Sequence, residues 1–109
     1  MIDHAAALAL ELDYSDVPAA QVVAGAPRVG VATLGDFRGR EYGVWEMTPG
    51  AMSDVEENEL FIVIAGHAVV ELDSVATRIE LSPGSVGRLY AGTRTVWTVT
   101  DTLRKIYLT

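Results

Sequence analysis

The side chain best placed to do chemistry is Glu59, which begins an apolar stretch that runs to Ile64. Burying a carboxylate that has no partner disfavours its charged form. Such a group in a cleft is a candidate general acid or base, so Glu59 is the candidate catalytic residue. The alternative is a structural carboxylate, hydrogen-bonded to backbone or paired with an arginine. We favour an unpaired Glu59 in a pocket, because no arginine neighbours it in sequence.

The acidic stretch 54–59 could offer oxygen ligands to Ca²⁺ or Mg²⁺, but it lacks the glycine and the alternating spacing of a calcium-binding loop. We expect a solvated loop whose charges protect the following strand from aggregation. The chain has no cysteine, and its two histidines are His4, near the N-terminus, and His67, in a predicted turn. A transition metal needs several strong nitrogen or sulfur ligands, so we expect no metal and no cofactor.

The net charge of the chain limits the classes of partner that it can bind. Eight basic residues oppose fifteen acidic ones, which gives a net charge of -7 and a pI near 4.6. This field repels a phosphate backbone and an anionic bilayer, so we expect neither nucleic acid nor membrane as a partner. The N-terminal sequence lacks the basic region of a signal peptide, and we expect a cytoplasmic protein.

From Gln21 onward, short β-rich runs alternate with Gly, Pro, Asp and Ser. Nine strands are predicted, at 21–23, 29–34, 41–48, 59–64, 68–72, 77–81, 85–90, 95–100 and 103–108, with turns between them that include Asp73 and Ser74. Nine short strands with no helix between them indicate an all-β antiparallel sandwich or barrel.

The N-terminal segment differs in composition. Residues 3–12 are good helix formers with Asp3 as a possible N-cap, which predicts a short helix or an ordered arm. Residues 13–20 resemble a linker. We therefore divide the chain into an N-terminal arm, residues 1–20, and one domain, residues 21–109.

The predicted strand 59–64 is apolar on both faces, which is typical of a strand that is covered on both sides. The N-terminal strands near Gln21 and Val29 would also leave open sheet edges. Two-fold pairing is the commonest way to bury such surfaces, so we expect a homodimer, formed by exchange or augmentation of an N-terminal strand.

Several segments together resemble the cupin superfamily, and within it the small single-domain group related to the ureidoglycine aminohydrolase cupin domain. The resemblance spans residues 21–109. The segments that carry it are Trp45–Gly50, Glu59–Gly66, Pro83-Gly84, Gly92, Val96–Val99 and Leu103–Tyr107. It implies an all-β cupin double-stranded β-helix, a jelly-roll barrel, here with a short N-terminal helix or arm.

The family's usual metal ligands are largely missing. Gly50, Glu59 and Gly66 fit the first cupin motif, but its two histidine positions fall within 52–55, where no histidine occurs. In the second motif Thr95 stands at the histidine position. Of the four ligands that the resemblance implies, only Glu59 is present.

The resemblance also places a set of aromatic, hydroxyl and basic side chains inward or near the barrel mouth. They either bind a small ligand or fill the core. These ligand-binding candidates are Trp45, Met47, Phe61, Tyr90, Thr95, Trp97, Lys105 and Tyr107. For Arg104 and Lys105 we favour surface or interface ion pairs over pairing with a barrel carboxylate or a clamp on an anionic ligand.

Three functions remain open. The first, which we favour, is metal-independent binding of a small molecule. The second is an enzyme similar to ureidoglycine aminohydrolase, or an isomerase or lyase, that uses Glu59 as acid or base. The third is a structural or regulatory homodimer whose barrel is simply filled.

Overall fold

The computed structural model describes residues 1–72 and 76–109, and most of them lie in β-strands. The all-β expectation is confirmed, whereas the turn expected at 73–74 lies outside the described residues. In the part of the chain that is described, no helix is long and apolar enough to cross a membrane. The strands are β1 (Tyr14–Asp16), β2 (Val22–Ala24), β3 (Arg28–Phe37), β4 (Arg40–Met47), β5 (Gly50–Val55), β6 (Glu59–Leu72), β7 (Thr77–Leu81), β8 (Val86–Leu89) and β9 (Arg94–Leu108).

Two long antiparallel strands, β6 and β9, run side by side through the middle of the sheet. Along its other edge, the first half of β9 pairs with β5 and the second half pairs with β4. Along its edge away from β9, β6 pairs first with β8 and then with β7. The sheet continues from β4 to β3 and β1, and from β5 to β2. It curls, so that rings from β4, β6 and β9 meet on its inner face.

Each long strand was predicted as two shorter ones, which is wrong. The register between β6 and β9 shifts at three places from Val63 to Ala68, and these bulges bend the strands without ending them. Gly66 makes the bend possible, since its φ is 85° and a Cβ atom there would lie 2.0 Å from the carbonyl oxygen of Thr102. His67 therefore lies within a strand and not in a turn.

Strand alternation separates an inner from an outer face. On β9 the side chains of Leu103, Lys105 and Tyr107 point inward. The neighbouring residue Arg104 points outward, yet it is also buried. The inner face forms the core, whose buried residues include Met47, Met52, Phe61, Val63, Val70, Leu81, Trp97, Val99, Leu103 and Tyr107.

The N-terminal segment is an extended arm on the outer face and not a helix. Arg104 explains why, because its Nη1 donates to the carbonyl oxygens of Ala7 at 2.8 Å and Leu10 at 2.7 Å. Glu46 accepts from Arg104 Nε at 2.8 Å and also from the hydroxyl of Tyr14. Backbone carbonyl oxygens that would accept hydrogen bonds within a helix thus accept them from Arg104 of the barrel. The expected linker also contains strand β1 and a 3-10 turn at Ala19–Gln21.

The arm leaves part of the outer face uncovered. Leu60 and Ile62 on β6 are 44% and 41% exposed, although both are large and apolar. They line a groove of about 530 Å³ whose border includes the acidic residue Asp36. An adjoining hollow at the end of the barrel, which shares Leu60 with this groove, is bordered by Arg40 and Arg88. A surface with an apolar floor and opposite charges at its margins can pair with a second copy of itself.

We therefore propose that the protein is a homodimer formed through this outer face, since β1 already pairs with β3 of its own chain. Ile62→Lys places a charge in the centre of the apolar floor and should produce a monomer. Val55→Lys, at an exposed position on β5, is the matched control and should remain dimeric. Light scattering should give twice the 11.7 kDa chain mass for the native protein and the control. A native mass of one chain at micromolar concentration would contradict the proposal.

Candidate functional site

An ammonium group lies inside the barrel, among three aromatic rings. Lys105 is 5% exposed, and its Nζ is 4.7 Å from the ring centroid of Trp45 and 4.9 Å from those of Phe61 and Trp97. The strand register explains this placement, because Trp45 on β4 pairs directly with Lys105 on β9. Trp97 lies earlier on the inner face of β9, and Phe61 lies on the adjacent β6. We call Trp45, Phe61, Trp97 and the carboxylate described next the ammonium box.

The carboxylate of the ammonium box is Glu59. Its Oε2 accepts from Lys105 Nζ at 2.5 Å, and the two side chains are 20% and 6% exposed. The expectation of an unpaired Glu59 is therefore wrong, as is that of a surface ion pair for Lys105. A buried charge is tolerated only when it is paired and hydrogen-bonded, and cation–π contacts strengthen as water is excluded. The box supplies both kinds of contact.

Glu56 fixes the orientation of Trp97. Its Oε2 accepts from Trp97 Nε1 at 2.8 Å and from the hydroxyl of Thr95 at 2.7 Å. Glu56 is 7% exposed, so the prediction of a solvated loop fails for this residue. Its inward direction continues the alternation of Met52 and Asp54 on β5, although no alternation of apolar and polar residues marks it in the sequence.

Asp54 lies at the edge of this group. Burial raises the pKa of its carboxyl, and the negative charges of Glu56 and Glu59 raise it further, while Lys105 acts in the opposite direction. Asp54 Oδ1 accepts from the backbone N–H of Val55 at 2.8 Å. Asp54 is thus a carboxyl whose charged form is disfavoured in the fold.

Tyr107 occupies the other side of the inner face. Its hydroxyl donates to Glu41 Oε2 at 2.5 Å. Burial, followed by this hydrogen bond, raises the pKa of Tyr107 to about 12. Tyr107 is therefore a neutral phenol that donates a hydrogen bond, and it has no free hydroxyl proton to offer a ligand.

Beside the ammonium box the barrel is not completely filled. A partly enclosed cavity of about 320 Å³ lies against Phe61 and Trp97, two rings of the box. Gly87 lies beneath Phe61, and a Cβ atom there would approach the ring to 2.3 Å, so only glycine lets the ring lie against β8. The other residues lining the cavity are Val70, Leu72, Ile79, Leu81, Val86, Arg88, Leu89, Tyr90 and Thr93.

The predicted site residues divide into three groups. Glu59, Trp45, Phe61, Trp97 and Lys105 meet in the ammonium box, and Thr95 joins them through Glu56. Met47 is fully buried in the core and Tyr107 is held by Glu41. Tyr90 is 60% exposed and stacks with Arg88, although it also borders the cavity. Glu56 and the aliphatic cavity walls on β7 and β8 were not predicted from the sequence.

The residues at the implied metal-ligand positions do not fit a metal ion. Glu59 holds the lysine ammonium and Thr95 donates its hydroxyl to Glu56. Within 52–55, the interval of the two missing histidines, Met52 and Asp54 face inward. Within residues 1–72 and 76–109, no group of three or more His, Asp or Glu side chains is arranged to hold a metal. We therefore derive no chemistry through a metal.

Comparison with known proteins identifies a family. The model of the EutQ-like cupin domain matches residues 34–107, which is more than half of the chain. No curated protein is detectably similar to this chain.

Solved structures show the same fold. A protein of unknown function from Pseudomonas syringae pv. tomato is 23% identical with a TM-score of 0.78, over 92% of this chain and 44% of that protein. The EutQ protein of Clostridium difficile is 21% identical with a TM-score of 0.65, over 75% of this chain and 67% of that one. A cupin superfamily protein of Desulfitobacterium hafniense is 19% identical with a TM-score of 0.59, over 74% and 75% respectively. This chain thus spans less than half of the Pseudomonas protein.

The pairing of Glu59 with Lys105 predicts a large stability effect. Glu59→Gln keeps the shape but leaves a buried ammonium without a counter-charge, which should cost about 2–4 kcal/mol. For a domain of this size the melting temperature should fall by about 10 °C or more. Glu71→Gln, at an exposed position on the same strand, is the control. A melting temperature of Glu59→Gln equal to that of the native protein would refute the structural role of the pair.

The raised pKa of Asp54 predicts an opposite effect with a defined pH dependence. When folding raises the pKa of an acid, the folded state is less stable at a pH above that pKa, because the charged form is then buried. Below the ordinary pKa of the acid this loss of stability is absent. Asp54→Asn keeps the acceptor for Val55 and removes the charge. Its melting temperature should exceed that of the native protein at pH 7, and the difference should vanish as the pH falls below the ordinary aspartate range. A difference that is unchanged between these pH values would disprove the assignment.

Proposed function

This chain belongs to the EutQ-like cupin domain family, and we propose that it binds a small, largely apolar molecule in its barrel without a metal ion. The observation that carries the proposal is the cavity of about 320 Å³ against Phe61 and Trp97. This volume lies at the lower end of the range of ligand sites, about 300–1,000 Å³. The cytoplasm is the expected compartment.

The chemistry of the cavity supports an apolar ligand. Its walls are aliphatic side chains from β6, β7 and β8 and the two aromatic rings. The polar groups lie at its margin: the hydroxyls of Thr93 and Tyr90, and the exposed Arg88, which stacks on Tyr90. Lys105 and Glu59 satisfy each other behind the rings, so the interior charges are not offered to a ligand. A ligand would therefore gain affinity from buried apolar area and orientation from a hydroxyl at the mouth.

A second candidate is the enzyme similar to ureidoglycine aminohydrolase. What favours it is that Glu59 remains 20% exposed and borders a hollow with Arg40 and Arg88 at the end of the barrel. In this case Glu59→Gln would abolish ammonia release from ureidoglycine while leaving binding in the apolar cavity intact. Absence of ammonia release from the native protein would exclude this candidate.

Fluorobenzene is a suitable probe of the cavity, since a small apolar ring fits its walls. ¹⁹F NMR titration should show saturable binding to the native protein. Ile79→Trp fills the cavity from β7 and should weaken binding at least about tenfold. A tenfold loss of affinity corresponds to the loss of about one aromatic contact. Val23→Trp is the matched control, because both residues are exposed aliphatics on edge strands.

The same titration tests the filled-barrel alternative. A structural dimer with a packed interior would show no saturable binding of fluorobenzene to the native protein. Equal binding by Ile79→Trp and the native protein would place the probe elsewhere, for example in the outer groove. Either result would overturn the proposed function.

A further inference from the structure

The chain contains one lysine among its eight basic residues, and the barrel encloses it. We propose that the ammonium box is a binding site for a primary alkylammonium ion, and that the chain occupies this site itself with Lys105. The residues that form the site are Trp45, Phe61, Trp97 and Glu59. The inference does not depend on whether the neighbouring cavity binds a ligand.

The contacts of Nζ are those of a ligand in a receptor. Three ring faces from three different strands surround the charge, and their centroid distances agree within 4.7–4.9 Å. The carboxylate of Glu59 neutralises it at 2.5 Å. Aromatic cages bind organic ammonium ions in other proteins, and here a carboxylate supplies the counter-charge as well. Among the described residues, Arg38 and Arg88 each lie over a single ring, that of Phe37 and that of Tyr90 respectively. Arg104 is bound by Glu46 and backbone carbonyls on the outer face.

The geometry selects an ammonium over other cations. Nearly equal distances to three rings suit a compact charge, whereas a planar guanidinium would need to stack on one ring face. A divalent metal needs several oxygen, nitrogen or sulfur ligands, and the box offers one carboxylate. The specificity is therefore for a charged amine with an alkyl stem, which lies along the inner face of β9.

The box also shapes the cavity. Phe61 and Trp97 contact the ammonium and line the cavity as well. Removing the ammonium would free the rings to collapse toward Glu59. Occupancy of the box should therefore stabilise the barrel, and an external ion of the right shape should replace the missing side chain.

Chemical rescue tests this inference. Lys105→Ala deletes the side chain beyond Cβ, which corresponds to n-propylammonium. The variant should melt well below the native protein, and n-propylammonium chloride should raise its melting temperature saturably by about 5 °C. Neither n-propanol, which has the same length without charge, nor magnesium chloride should do so. The native protein, whose box is full, should show no such rise.

Two controls separate the box from general effects. Lys105→Ala combined with Glu59→Gln should lose the rescue, because the counter-charge is gone. Arg104→Ala removes the other buried cation and should not be rescued by n-propylammonium. Equal stabilisation by n-propanol, or rescue of Arg104→Ala, would overturn the inference.

A further pair of variants keeps the test decisive if Lys105→Ala does not fold. Lys105→Met fills the space without charge and leaves Glu59 unpaired, so it should be destabilised. Lys105→Met combined with Glu59→Gln should recover most of that loss. A Lys105→Met protein as stable as the native one would show that the box does not require an ammonium ion, and would overturn the inference.

Discussion

A buried ammonium ion has to be compensated, and the interior of this barrel is organised around that requirement. Lys105 is neutralised by Glu59 and surrounded by the rings of Trp45, Phe61 and Trp97. Leaving either charge alone in the interior costs several kcal/mol, so the strands that carry these groups are held in one arrangement. Glu56 adds to this constraint by orienting the indole of Trp97.

A second buried cation, on the outer face of β9, is compensated in the same way. Arg104 and Lys105 are consecutive, so their side chains point to opposite faces of the sheet. Each is buried and each is paired with a glutamate, Glu46 outside and Glu59 inside. The outer pair binds the N-terminal arm, while the inner pair fixes the aromatic rings that wall the cavity. One dipeptide on the last strand thus connects the arm, the barrel and the candidate ligand site.

The pattern of short β-rich runs separated by turn residues was enough to predict an all-β fold. It could not identify contacts between distant residues. Glu59 meets Lys105 across 46 residues of sequence, so the absence of a neighbouring arginine was no guide to its partner. The prediction of an N-terminal helix was wrong for a similar reason, since Arg104 binds backbone carbonyls 94 and 97 residues away. Local propensity is weak beside such tertiary hydrogen bonds.

The interior of the barrel holds a caged lysine ammonium, and because the chain has a single lysine its environment can be measured directly. In a ¹H–¹⁵N correlation spectrum of side-chain ammonium groups at neutral pH, a solvent-exposed lysine is lost to rapid exchange with water. Lys105 should give one sharp, protected cross-peak, and its ε-methylene protons should be shifted upfield by the three rings and return to ordinary values on denaturation. Absence of the cross-peak together with unshifted ε-methylene protons in the folded protein would show that Lys105 is not enclosed by the three rings.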